Sequence, residues 1–120
     1  MNTKTILLVE DNPSDEALTL RALKKSGIVN GVTVARDGAE ALDYLFREGA
    51  YTGRGHESEP TIIMLDLNLP KIGGLDVLKS IRANESTKLL PIVVLTSSDL
   101  NEDIIASYKL GANSYVRKPV

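Results

Sequence analysis

At 120 residues the chain has the length of one compact domain, long enough for a real core and too short for two. Hydrophobic residues at 42% and charged residues at 25% describe a globular chain rather than a disordered one, and no apolar run approaches the roughly 20 residues of a membrane span. A formal net charge of -2 with mixed signs argues against a nucleic-acid surface, and the absence of cysteine excludes disulfides and thiolate metal sites.

The amino end, "MNTKTILLVED", runs from a short apolar stretch straight into two acids, unlike a signal peptide. With the lack of cysteine, this leads us to expect a cytoplasmic protein. "TILLVE" (5–10) is the first strand candidate. "NPSDEALTLRALKKSG" follows as a helix, with Asn12 as N-cap, Pro13 at the first helical position and Gly27 as C-cap. "VTVA" (32–35) is a short second strand. In "DGAEALDYLFREG", Asp37 and Glu40 have the spacing of a capping box, and Ala41, Leu42, Leu45 and Phe46 form an apolar stripe.

The polar, Gly-rich stretch 47–60 is expected on the surface, with His56 a solvated loop residue. "TIIML" (61–65) is the third strand, and Leu75, Leu78 and Ile81 mark the core face of the helix after it. "PIVVLTSS" is strand four, "NEDIIASYKLG" a fourth helix stopped at Gly111, and "NSYVRK" strand five. There is no internal repeat or linker, so residues 1–120 read as one domain. Strands alternating with helices predict an α/β fold, a doubly wound five-stranded parallel sheet, because parallel neighbours need crossover connections. Such sheets gather their ligands at the carboxyl ends of the strands.

The residues at those ends are chemically coherent. Strand one ends at Glu10-Asp11, strand three at Asp66, strand four at Thr96-Ser97 and strand five at Lys118-Pro119, whereas Arg36-Asp37 after strand two suits helix capping. Each residue alone has a local explanation as a turn, cap or strand-end residue. Together they bring three carboxylates, a hydroxyl and an ammonium to one rim. Two carboxylates about 4 Å apart repel by about 4 kcal/mol at an effective dielectric near 20, so the cluster calls for a cation. With no cysteine and one distant histidine, the ligands would be oxygens, which favours Mg²⁺ or Mn²⁺ over Zn²⁺. A carboxylate beside such an ion and a lysine can accept a phosphoryl group. A flavin carrier on the same layered fold is disfavoured by the acidic first turn "EDNPSD" and an aromatic content of 4%. A phosphatase acting on external substrates would want a second acid two residues after Asp66, where "DLN" has Asn68.

In order and spacing, "ILLVEDN", "IIMLDLNLPKIGGLDVL", "PIVVLTSS" and "GANSYVRKP" resemble the receiver domain of two-component response regulators along the whole chain. The resemblance implies a flavodoxin-like sheet of order 2-1-3-4-5 and a signalling switch, which catalyses only its own aspartyl phosphorylation and dephosphorylation. It implies Asp66 as acceptor of a phosphoryl group from a sensor histidine kinase. Asp11 would be a direct Mg²⁺ ligand, Glu10 an acid acting through metal-bound water, and Asn68 a backbone-carbonyl ligand, with Asp66 completing the set. Thr96 and Lys118 would contact the phosphoryl group, Tyr115 would be the switch aromatic, and the Lys118–Pro119 bond is often cis in the family. The output surface would be the fourth helix and fifth strand. Within the family, "LDLNLPK", "VVLT" and "ASYKLGANSYVRKP" are most similar to stand-alone regulators paired with phytochrome-type kinases, although those often carry His at the position of Gly111. The family's fifth helix is expected after Pro119, and this chain stops at Val120, so the expectation is either a shortened chain or self-association over the bared sheet.

Overall fold

The computed structural model describes residues 5–27, 31–54, 59–97 and 101–118. His56 and Pro119 lie outside them, and so does the Lys118–Pro119 bond. In chain order the elements are β1 (Ile6–Val9), α1 (Pro13–Lys25), β2 (Val32–Ala35), α2 (Gly38–Phe46), a 3₁₀ turn (Gly49–Tyr51), β3 (Ile62–Asp66), α3 (Gly74–Ala83), β4 (Ile92–Thr96), α4 (Asn101–Lys109) and β5 (Ser114–Arg117). All strand pairs are parallel and the order is β2-β1-β3-β4-β5, as expected. No helix among the described residues is long and apolar enough to cross a membrane.

The helix starts follow from local chemistry. Asn12 Oδ1 accepts from the N–H groups of Ser14 at 2.9 Å and Asp15 at 3.1 Å, and Pro13 occupies the first turn where no N–H is missed. At the other end Ser26 is the cap, while Gly27 follows it at φ +81, a left-handed conformation that glycine adopts without strain. Asp37 caps α2 by accepting from Glu40 N–H at 2.7 Å. The expected reciprocal bond is displaced by one residue: Glu40 Oε1 accepts from Arg36 N–H at 2.8 Å, one position before the cap.

That cap carries a prediction. Asp37 is held below its ordinary value of about 3.8, first by the Glu40 N–H and further by Lys71, whose Nζ is 3.3 Å away. A depressed carboxyl stabilises the fold above its unfolded pKa and ceases to do so as pH falls through the folded value. Asp37→Ala is therefore expected to cost about 1 kcal/mol near neutral pH. The difference from wild type should shrink below the ordinary carboxylate range in urea denaturation series run at several pH values; a constant difference would exclude the ionised cap.

The main core cluster lies on one face of the sheet, where Leu7, Val9, Ile63, Leu65, Ile92 and Val94 meet Ala41, Tyr44 and Leu45 of α2 and Val77, Leu78 and Ile81 of α3, while Leu8 and Leu95 are buried on the other face. Each fully buried Leu, Ile or Val side chain contributes about 1.5–3 kcal/mol relative to exposure. Two expectations shift here. Leu75 is only half-buried and Val77 takes its place, while on α2 Leu42 and Phe46 sit at the margin and Tyr44 turns inward. The second shift concerns the stretch after α2, which is polar yet anchored. The Arg54 side chain is 7% exposed, donates to the Tyr44 carbonyl at 2.8 Å and lies over the Tyr44 ring at 4.1 Å. Arg47 pairs with Glu59 at 2.6 Å, and the Tyr51 hydroxyl donates to Glu40 Oε2 at 2.7 Å. Paired charges and a cation over an aromatic face let these polar side chains pack inward.

Candidate functional site

The parallel register brings the strand ends level. Val9 is opposite Leu65 and Ala35, Asp66 opposite Leu95, and Thr96 opposite Arg117. The ladder runs one step further through Glu10 N–H to the Ala35 carbonyl and Lys118 N–H to the Thr96 carbonyl, both at 2.9 Å. Glu10, Asp66 and Thr96 are thus carried into the interior at the carboxyl edge, all three buried, whereas Asp11 is exposed. Glu10 is still bonded to the ladder beside β2, whereas Asp11 lies beyond it in the turn to α1, so the two adjacent acids meet different surroundings.

Lys118, the first residue after β5, organises the acids. Its Nζ stands 2.6 Å from Glu10 Oε1, 2.9 Å from Asp15 Oδ2 and 3.0 Å from Asp66 Oδ2, with the side chain 9% exposed. The contacts to Asp15 and Asp66 are aligned hydrogen bonds. The closest one, to Glu10, is an ion pair without hydrogen-bond alignment, which leaves the buried Glu10 Oε1 with no hydrogen bond. The second oxygens are held by main chain: Glu10 Oε2 accepts from Asn12 N–H at 3.3 Å and Asp66 Oδ1 from Asn68 N–H at 3.1 Å.

Burial is the main reason the Glu10 carboxyl is pushed up to about 7; the neighbouring Asp66 adds to it, and Lys118 and the Asn12 N–H oppose it. For Lys118 burial pulls the other way, yet Glu10, Asp15 and Asp66 outweigh it and hold the ammonium above its ordinary pKa. One carboxylate oxygen from each of Glu10, Asp11 and Asp66 lies within 4.8 Å of the others. This oxygen-only donor set, with a buried carboxylate oxygen among it that accepts no hydrogen bond, fits a hard divalent cation.

The turn after Asp66 depends on Gly74. A Cβ there would overlap the Asp66 carbonyl oxygen and lie 2.5 Å from Leu67 Cα, while the Gly74 N–H donates to the Leu67 carbonyl at 3.0 Å. The amino end of α3 therefore seats directly on the backbone that presents Asp66. Gly74→Ala is expected to destabilise the protein by about 1–3 kcal/mol and to displace the turn at Asp66, since two backbone segments cannot yield as a side chain can. Thermal melts and the amide NMR shifts of residues 66–68 would register both; unmoved shifts would refute the close approach.

Of the residues the sequence pointed to, Glu10, Asp11, Asp66 and Lys118 converge, Thr96 is buried on the neighbouring strand end, and Asn68 contacts Asp66 through its N–H. Ser97 is exposed at the same edge. Tyr115 is partly buried against the core, in register with Val94, two residues before Thr96 on the same strand. Asp15, the third partner of Lys118, was not singled out by sequence. Its place in the first turn of α1 was legible, but the 103 residues separating it from Lys118 carry no local signal.

The description "Response regulator receiver domain" matches residues 6–120. Response regulator Rcp1 of Synechocystis sp. is 44% identical over 115 residues, covering 96% of this chain and 76% of that protein. Among solved structures, the bacteriophytochrome response regulator RtBRR superposes with a TM-score of 0.89 at 51% identity, over 98% of this chain and 70% of that one. The Mn²⁺-bound form of Rcp1 does so with a TM-score of 0.87 at 43% identity, over 96% and 81%. With this fold, the acidic pocket at its carboxyl edge and relatives of this similarity, the chain belongs to the receiver domains of two-component response regulators, signalling domains rather than enzymes.

Proposed function

We propose that the protein is a phosphoacceptor switch in which Asp66 takes a phosphoryl group from a sensor histidine kinase. The observation that carries this reading is the buried Asp66 carboxylate with Lys118 Nζ at 3.0 Å and the acids Glu10 and Asp11 beside it. An Asp66 oxygen forms the new O–P bond as the donor's bond to phosphorus breaks, and the leaving group departs with that electron pair. Lys118 shifts its hydrogen bond to a phosphoryl oxygen, and the Thr96 hydroxyl donates to another. Mg²⁺, or Mn²⁺ in its place, would be held by Glu10, Asp11, Asp66 and the Asn68 carbonyl and would supply positive charge against the phosphoryl oxygens.

The modified Asp66 carries about -1.5 to -2 charge and three acceptor oxygens, so Thr96 is drawn toward it and Tyr115 follows on the neighbouring strand. The readout is the α4–β5 surface, where Ile105 and Tyr108 are 53% and 50% exposed. A partner favours the phosphorylated conformer only by its difference in affinity for the two states. Relatives named as phytochrome response regulators support a phytochrome-type kinase as donor.

Intact mass after incubation with acetyl phosphate and Mg²⁺ should show one added phosphoryl group, lost when EDTA replaces the metal. Phosphotransfer from a panel of kinases should be fastest from a phytochrome-type kinase. Absence of the adduct in Mg²⁺ would reject the switch, whereas equal rates from all kinases would reject only the partner.

A further inference from the structure

The Lys118 ammonium stands within 3.0 Å of three carboxylates, donating aligned hydrogen bonds to Asp15 and Asp66 and pairing with Glu10 by charge alone. A phosphoryl oxygen arriving at Asp66 competes with these three acids for the one cation, and the acid least costly to release is the one that gives way. Glu10 is wholly buried and its other oxygen is tied to the Asn12 N–H. Asp66 is itself the site of bond formation. Asp15 differs from both: its side chain is 33% exposed, so its carboxylate can pass to water without leaving a buried charge unpaired. Its backbone, by contrast, is fixed, because the Asp15 N–H is bound to the N-cap Asn12 at 3.1 Å.

We infer that Asp15 is a positioning residue that holds Lys118 in the unphosphorylated state and releases it when the phosphoryl group arrives. The inference rests on the reading of Asp66 as acceptor and adds a brake to it. Asp15 competes with the phosphoryl oxygens for the same ammonium, and its negative charge stands 2.9 Å from the cation that must neutralise them. Removing it frees an N–H of Lys118 and ends that competition, while the ordinary role of an acid in a first helical turn would affect only helix stability.

The test is the rate of Asp66 labelling by acetyl phosphate at saturating Mg²⁺, together with the binding of beryllofluoride, a phosphoryl mimic. Asp15→Asn and Asp15→Ala are expected to label about threefold to tenfold faster than wild type and to bind beryllofluoride tighter by a similar factor, the size of a partly solvated charge pair. Asp15→Glu, which retains a carboxylate within reach of Lys118, should return toward the wild-type rate. Glu16→Gln removes the same charge one residue away, from a side chain paired with Arg36 at 3.2 Å, and should leave the rate unchanged. Equal rates for wild type and both Asp15 variants, or the same gain from Glu16→Gln, would overturn the inference while leaving Asp66 as acceptor. Wild-type protein that takes up no phosphoryl group would instead sink the switch reading and this inference with it.

Discussion

Asp66→Asn is expected to take up no phosphoryl group from acetyl phosphate while keeping its fold. The amide has the shape of the carboxylate and can still accept from the Asn68 N–H, which Asp66 Oδ1 does at 3.1 Å. What it lacks is the anionic oxygen needed to attack phosphorus. The remaining acids are weak substitutes: Asp11 is exposed, and Glu10, fully buried, has one oxygen against Lys118 and the other on the Asn12 N–H. Loss of labelling should therefore be complete rather than partial. Stability should not fall, because the substitution removes one of two like charges that share a buried site. Intact mass and thermal melting of the variant measure both outcomes; labelling at the wild-type rate would reject Asp66 as the acceptor.

Lys118→Met should produce the largest change in stability. Methionine keeps an apolar stem of similar length but leaves Glu10 and Asp66, both buried, without the ammonium now 2.6 Å and 3.0 Å from them. Breaking a buried pair from one side costs about 3–5 kcal/mol, since the surviving charge stays desolvated and unmatched. Here the unmatched charge is shared by two buried carboxylates, of which Glu10, already pushed up to about 7, can take up a proton. A divalent cation on the same oxygens offsets them, so the loss should be large in EDTA and much smaller in millimolar Mg²⁺. Wild type should gain less from Mg²⁺, because Lys118 already supplies a positive charge. Urea denaturation of both proteins, with and without the metal, gives the four free energies needed. An equal Mg²⁺ effect in the two would mean that Lys118 and the cation do not act on a shared pocket.

These effects converge on a site assembled from four strand ends and one helix start, and its parts were not equally legible in the sequence. The alternation of apolar runs and amphipathic stretches determined the α/β class. It also placed the carboxyl end of each strand to within about two residues, and parallel neighbours with crossover helices leave all those ends at one edge. From that, Glu10, Asp11, Asp66, Thr96 and Lys118 could be placed on a common rim before any coordinate was known. The caps at Asn12 and Asp37 were legible for a simpler reason, their bonds spanning only two or three residues.

Other features depend on contacts between distant residues, and periodicity carries no information about those. The burial of Val77 in place of Leu75 is set by how α3 rolls against the sheet, and the inward course of Arg54 by the ring of Tyr44 beneath it. The separation of adjacent Glu10 and Asp11 into a buried and an exposed acid is set by where the sheet ends, Glu10 still bonding to Ala35 and Asp11 lying beyond. Asp15 on Lys118 is the strongest case: the sequence by itself placed one in a helix start and the other at a strand end. Only the tertiary placement of the start of α1 beside the end of β5 decided that the two charges meet.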